Sequence, residues 1–353
     1  MALALLQEQR YDVTGVFLKV WSPDFLPCTW RDERRSAMRV CATLGVPFMT
    51  LDCEKEYKEL VVDYMLNEYK AGRTPNPDVF CNKYVKFGVF LEKALELGAD
   101  YVATGHYAQV SSSSFRPTSR NPETLLLESV DKEKDQSYFL HQLGPEQLVH
   151  TMFPIGHLHK SEVRKLAKKF NLPTADKKDS QGLCFIGKVD MKEFLAHYIK
   201  PEEGLPRQSG ATAGDVLDEK GEVIGRHDGA VFYTIGERHG FEIFKKSESD
   251  TPLFVVAKDI EKNTITVVSK AEYTTIQKSF VVRDMNWCSG KVPDLDKKYD
   301  IRFRYRQEKQ KCQIKFENGK YEIIPDEAQF GVANGQSAVV YDGEVCLGGG
   351  VIE

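Results

Sequence analysis

Two cysteines stand in settings suited to sulfur chemistry. In RTPNPDVFCNKYVKF (73–87), Pro75 and Pro77 fix φ and push the residues before them toward extended geometry. Asn76 and Asp78 are thereby carried on a stiff arch. Cys81 follows Asp78 by one turn, so carboxylate and thiol share a side if a helix begins there. In DKKDSQGLCFIGK (176–188), Cys184 has Lys177, Lys178, Lys188 and Lys192 within reach. Neighbouring cations lower a thiol pKa and favour the nucleophilic thiolate. The plain alternative for either residue is a buried structural cysteine.

Three further stretches carry polar groups at useful places. In ATGHYAQV (103–110), Gly105 and His106 follow the C-terminal end of a strand, the sheet edge where α/β folds bind ligands. Gly105 would let a nucleotide approach the backbone, although an ordinary strand-to-turn transition reads the same way. In DKEKDQSYFLHQL (131–143), Lys134, Asp135 and Gln136 precede an aromatic helical face, either for recognition or as a solvated, Asp-capped helix start. In YDIRFRYRQEKQKCQIKF (299–316), alternation on a strand would place Arg302, Arg304 and Arg306 on one face. Residues 297–316 hold eight basic side chains against two acidic ones, a ridge suited to RNA phosphates. The alternative is a solvated barrel face.

The elements that must position these residues change character along the chain. Val- and Phe-rich strands (11–21, 46–53, 99–110) alternate with helices (30–45, 56–72, 83–98), which indicates a doubly wound parallel α/β sheet. A polar Ser- and Pro-containing loop (111–124) precedes the strand LLLESV, and helical sequence continues to about residue 200. Beyond it come short β segments with glycine turns, ending in what reads as a small β-barrel. The predicted domains are 1–204, a catalytic α/β unit; 205–274, a small β-rich unit; and 275–353, the barrel.

Net charge is −4, so no global cationic field attracts nucleic acid and any such partner needs a local patch. Eight scattered cysteines without a C-x-x-C pair argue against a zinc knuckle or compact iron–sulfur site, so no metal site held by the protein's own side chains is expected. No apolar run reaches the length of a membrane helix and MALALLQEQRYD is not a signal peptide, so a reducing cytoplasmic setting is expected.

Taken together, GVFLKVW, GRTPNPDVFCNKYVKF, ATGHYA, DKEKDQSYFL, DSQGLCFIGK, GEVIGRHDGAVFYTIGER, RFRYRQ and GQSAVVYDGEVCLGGGVI, in this order, resemble the tRNA-specific 2-thiouridylases. The resemblance implies an ATP pyrophosphatase fold of the adenine nucleotide α-hydrolase type. It implies ATP, with Mg2+ expected, used to adenylate C2 of the wobble uridine of Lys, Glu and Gln tRNAs before sulfur replaces the oxygen. Cys184 would carry the persulfide, and Cys81 would release its terminal sulfur, leaving a Cys81–Cys184 disulfide. Asp78 would act as acid/base beside the base, with Asn76 and Pro77 shaping its pocket. Lys134, Asp135, Gln136, Arg304, Tyr305, His106 and Gln336 would touch tRNA, while Gly105 and the Leu18 backbone would line the nucleotide site. The sulfur would come from a persulfide-donating relay protein or a cysteine desulfurase.

One departure stands out: the family's S-G-G-x-D-S pyrophosphate loop occurs nowhere in the 353 residues. MALALLQEQ aligns with what should follow that loop, so the expectation is an N-terminally truncated chain that lacks a central strand, with poor ATP binding and little thiolation. Competing readings are a non-catalytic tRNA-binding remnant, or another ATP pyrophosphatase such as an amidotransferase-like synthetase or a tRNA lysidine-forming enzyme.

Overall fold

The computed structural model describes residues 1–25, 30–111, 124–177, 190–199, 213–244, 252–269 and 277–353. Cys184 with motif residues 178–188, the loop residues 112–123 and both expected domain boundaries lie outside these.

In the first unit, β1 (Gly15–Lys19) pairs in parallel with β2 (Phe48–Asp52), the two joined through the helix Trp30–Leu44. The strand expected over 99–110 is two strands. β3 (Val102–Ala103) pairs in parallel with β6 (Thr151–Met152), whereas β4 (Ala108–Ser111) turns away into a hairpin with β5 (Leu125–Glu128). The divide falls at Thr104–Tyr107, where the Gln136 side chain accepts from the Tyr107 N–H at 2.9 Å. Among the described residues the β1–β2 and β3–β6 pairs remain separate two-stranded sheets.

Helices cover these strands through an apolar cluster built on Leu18, Val20, Cys53, Tyr57, Val61, Met65, Cys81 and Val85, with Phe194 and Leu195 from the helix Met191–Tyr198. Burial of each large apolar side chain contributes about 1.5–3 kcal/mol, so this cluster outweighs the weak helix propensity of its Val and Tyr residues. Two π-helical stretches, Lys58–Asp63 and Cys81–Val89, interrupt the covering helices. Wide turns of this kind are rare and concentrate at functional sites.

The second unit is a five-stranded sheet. β7 (Gly214–Leu217), β8 (Val223–His227) and β9 (Phe241–Ile243) meander, while β10 (Leu253–Asp259) and β11 (Thr264–Ser269) complete the order β10-β11-β7-β8-β9.

The third unit comprises β12 (Phe280–Trp287), β13 (Lys298–Arg302), β14 (Gln310–Glu317), β15 (Lys320–Pro325), β16 (Ser337–Asp342) and β17 (Val345–Ile352). Pairing of β12 with β17 closes these six strands into a barrel. The barrel does not stop at its own sequence. β17 also pairs with β5 of the first unit, through Val345↔Leu127 and Cys346↔Leu126, so β5 and β4 extend the sheet.

Candidate active site

The proline-rich arch is built as its sequence requires. Asn76, at φ −112° and ψ 90°, is the last extended residue, Pro77 occupies the first helical position, and the helix Pro77–Phe80 runs directly into the π-helical stretch that begins at Cys81. Proline is favoured there because its missing N–H would have no helical partner. Asp78 thus lies one turn before Cys81. Asn76 and Asp78 are half-buried, and Cys81 is fully buried beside Leu18, Tyr57 and Phe194.

Other units hold the approach to this arch. The Thr74 N–H donates to the Asn334 carbonyl at 2.8 Å, and Gln336 Nε2 donates to the Thr74 carbonyl at 2.8 Å. The Thr74 hydroxyl meets that of Thr234, in the second unit, at 3.2 Å. Behind Cys81, Asn82 Nδ2 donates to the Phe139 carbonyl at 3.0 Å, and Gln147 Nε2 donates to the carbonyls of Phe87 (2.7 Å) and Lys83 (3.3 Å). Asn82 and Gln147 escaped the sequence reading. Their signal was faint: polar side chains set among apolar positions of helical segments.

The stretch after Asp131 divides into half-buried and buried members. Lys134 and Gln136 are half-buried, and the Gln136 N–H donates to the Tyr107 carbonyl at 2.7 Å. Asp135 is 3% exposed. Its carboxylate accepts from the Ser129 N–H (3.0 Å), the Ser137 hydroxyl (2.8 Å) and Arg302 Nη1 (3.1 Å). Burial raises its pKa, with the Ser129 and Ser137 donors opposing. Asp135 can therefore serve a ligand only by positioning what surrounds it.

The expected ridge of three guanidiniums on one strand face does not form. β13 ends at Arg302; the Gln307 side chain then accepts from the Phe303 N–H at 2.8 Å, and Arg306 takes φ +63°, so the chain turns. Arg302 points inward to Glu128 and Asp135 with 11% of its side chain exposed. The Arg304 guanidinium donates to the Phe330 and Gly331 carbonyls, and Arg306 lies 5.1 Å over the Tyr305 ring. Tyr305 packs on Phe139 at 4.6 Å between ring centres. Arg304, Tyr305, Arg306, Gln307, Gln329, Phe330 and Val332 surround a shallow cavity of about 270 Å³.

On the nucleotide side, Gly105 is exposed just past β3, and a Cβ there would meet no atom within 4 Å. The space beside Gly105 is therefore open to a ligand. Leu18 is buried in β1. His106 is nearly buried: its Nδ1 lies 2.7 Å from the Thr104 hydroxyl, and its ring sits against Phe87 and Phe153. Burial drives its pKa well below the ordinary imidazole value, leaving it neutral. Among the described residues no cluster of His, Cys, Asp and Glu could hold a metal ion, and no helix is long and apolar enough to cross a membrane.

An α/β unit, a small β-sheet unit and a closed barrel meet at Thr74, on the approach to the proline arch that precedes Cys81. Family models match each part: tRNA methyl transferase HUP domain over residues 1–188, tRNA methyl transferase PRC-barrel domain over 192–269, and Aminomethyltransferase beta-barrel domain over 277–352. The chain is 45% identical to the tRNA-specific 2-thiouridylase MnmA of Geobacillus thermodenitrificans over all of this chain and 91% of the relative. It is likewise 45% identical to that of Bacillus subtilis, with the same coverage, and 43% identical to that of Alkaliphilus oremlandii, covering 93% of it. The chain belongs to the tRNA-specific 2-thiouridylase family, sulfurtransferases that use ATP. Because these matches run across the whole chain, they give no support to the expected impairment of thiolation.

Proposed function

We propose that this protein replaces the C2 oxygen of the wobble uridine of tRNA with sulfur, in Lys, Glu and Gln tRNAs. The observation that carries this reading is the arch: Asn76, Pro77 and Asp78 are stiffly presented one turn ahead of a thiol, in a family of tRNA-specific 2-thiouridylases. ATP, with Mg2+, supplies the adenylyl group that makes the C2 oxygen a competent leaving group. Asn76 and Pro77 shape the base pocket. Asp78 takes and returns the uracil proton, and Lys134, Gln136, Tyr305 and Arg304 hold the RNA, with His106 closing the pocket wall and Asp135 supporting it from beneath. Gly105 and the Leu18 backbone line the nucleotide.

The terminal sulfur of a Cys184 persulfide attacks C2, and AMP leaves. The Cys81 thiolate then attacks the Cys184 sulfur, breaking its bond to the transferred atom. The products are 2-thiouridine and a Cys81–Cys184 disulfide, which a two-electron thiol reductant returns to two thiols. In support, the chain after the Cys184 motif enters the helix Met191–Tyr198, whose Phe194 and Leu195 share the apolar cluster of Cys81. A persulfide-donating relay protein or cysteine desulfurase reloads Cys184.

The test is thiolation of the three tRNAs by purified protein with ATP, Mg2+ and a persulfide donor, read by mass spectrometry of the wobble nucleoside. Loss of product in Cys81→Ser and in Cys184→Ser is expected. Full activity in either variant would remove that cysteine from the mechanism, whereas no thiolated product from the wild-type protein would favour a different ATP-dependent tRNA reaction.

A further inference from the structure

The approach to the arch, residues 72–75, is gripped by both of the other units at several independent points. Gly72 takes φ +74°, and a Cβ there would lie 2.8 Å from Ile260 Cγ1 of the second unit. Arg73 forks onto the buried Glu68 carboxylate at 2.7 and 2.6 Å, and Arg283 of the barrel reaches the same carboxylate at 3.0 Å. Glu68 is 6% exposed. A buried carboxylate shared by two guanidiniums is costly to leave half-paired, which ties the helix end to β12. Gly335 takes φ +93°, and a Cβ there would lie 2.9–3.0 Å from Thr74 backbone atoms. The barrel backbone therefore presses directly on Thr74, with Asn334 accepting from its N–H and Gln336 donating to its carbonyl. Gln336 Nε2 also stands 3.5 Å from the Pro75 carbonyl.

We infer that Glu68, Arg283 and Gly335 are positioning residues of the thiolation reaction: through Arg73 and Thr74 they set the arch that places Asn76 and Asp78 against the target base. Gln336 belongs to the same clamp through its Nε2. The barrel then does more than hold tRNA; it fixes the reacting geometry of a loop in another unit. The inference of a catalytic effect rests on the thiolation reading, whereas the clamp itself does not. Proline stiffness alone fixes the internal shape of the arch but not its placement, and a displacement of about 1 Å at a reacting centre can cost about a hundredfold in rate.

The experiment uses the full-length chain and three variants, Gly335→Ala, Arg283→Met and Arg283→Lys. Hydrogen–deuterium exchange of peptides covering 73–80 reads the clamp directly. At least about tenfold faster exchange in Gly335→Ala and Arg283→Met, with Arg283→Lys partly restored, is expected, since local opening sets the exchange rate. Thiolation kinetics should show kcat lowered at least about tenfold with KM for tRNA within about twofold, because geometry and not RNA binding is lost. Unchanged exchange in the folded variants overturns the clamp. Faster exchange with unchanged kcat, or a raised KM alone, overturns the positioning role. Should Gly335→Ala fail to fold, the Arg283 pair decides both. An inactive wild-type protein with faster exchange in the variants would sink the thiolation reading and leave the clamp standing.

Discussion

Arg302 of the barrel and Asp135 of the first unit meet at 3.1 Å, nitrogen to oxygen, with 11% and 1% of their side chains exposed. Glu128, equally buried, receives the same guanidinium at 3.0 Å. Removing the arginine leaves two carboxylates with little solvent, so Arg302→Met should lower stability by about 3 kcal/mol. Chemical denaturation checks this; a loss below about 1 kcal/mol would mean that Lys132 and Lys309, both within 3.1 Å of Glu128, suffice.

Arg306 is exposed over Tyr305 and should behave in the opposite way. In Arg306→Ala the melting temperature should hold, while the slope of log affinity for tRNA against log salt becomes shallower by about one. A filter-binding series over salt concentration reads the slope. An unchanged slope would remove Arg306 from the RNA surface.

Cys81 is 0% exposed, so a thiol reagent reaches it only when the arch or the helix beneath it opens. Alkylation followed by mass spectrometry should find Cys81 at least about a hundredfold slower than an unfolded-chain thiol, and faster once substrate tRNA is bound. Rapid alkylation in the free protein would contradict the packing.

At Gly105, an added Cβ would meet no protein atom within 4 Å, and Gly105→Val projects its methyls from that open point. ATP affinity should fall by about tenfold or more while tRNA affinity and melting temperature stay near wild type. Calorimetric titration with ATP decides the matter, and an unaltered constant would move the nucleoside elsewhere.

Acid should weaken the fold through its buried imidazoles. Burial lowers the pKa of His141 and of His227 to about 4, and that of His106 well below the ordinary value. Their unfolded counterparts protonate near 6.5. Between 6.5 and 4 the unfolded state binds more protons, so stability is lost as pH falls, by up to about 1.4 kcal/mol per pH unit for each ring. Melting temperatures measured across this window should decline, less steeply in His141→Gln; equal slopes would exclude that ring.

The arch and its helix were legible because proline acts locally: Pro75 and Pro77 determine the backbone wherever they sit. So were most strands and helices of the first unit, and the presence of a small barrel at the end, though not its six strands. What escaped depends on which sheet a strand joins. The pattern of 99–110 marks alternate faces but says nothing of the switch at Thr104–Tyr107 that sends β4 to the barrel. The arginine ridge failed for a related reason, since alternation carries information only while the strand lasts, and β13 ends at Arg302. Burial of Asp135 was invisible because its cation comes from a residue far along the chain.

The pairing of β5 with β17 also bears on how the protein is made. Leu126 and Leu127 must wait for Cys346 and Val345, synthesised roughly 220 residues later, which at about 5–20 residues per second is a delay of tens of seconds. During that interval the β4–β5 hairpin presents an edge of unpaired N–H and C=O groups, the kind of edge that recruits other chains. Slow or interrupted translation through the barrel would therefore expose the first unit to aggregation, although its own residues are already complete.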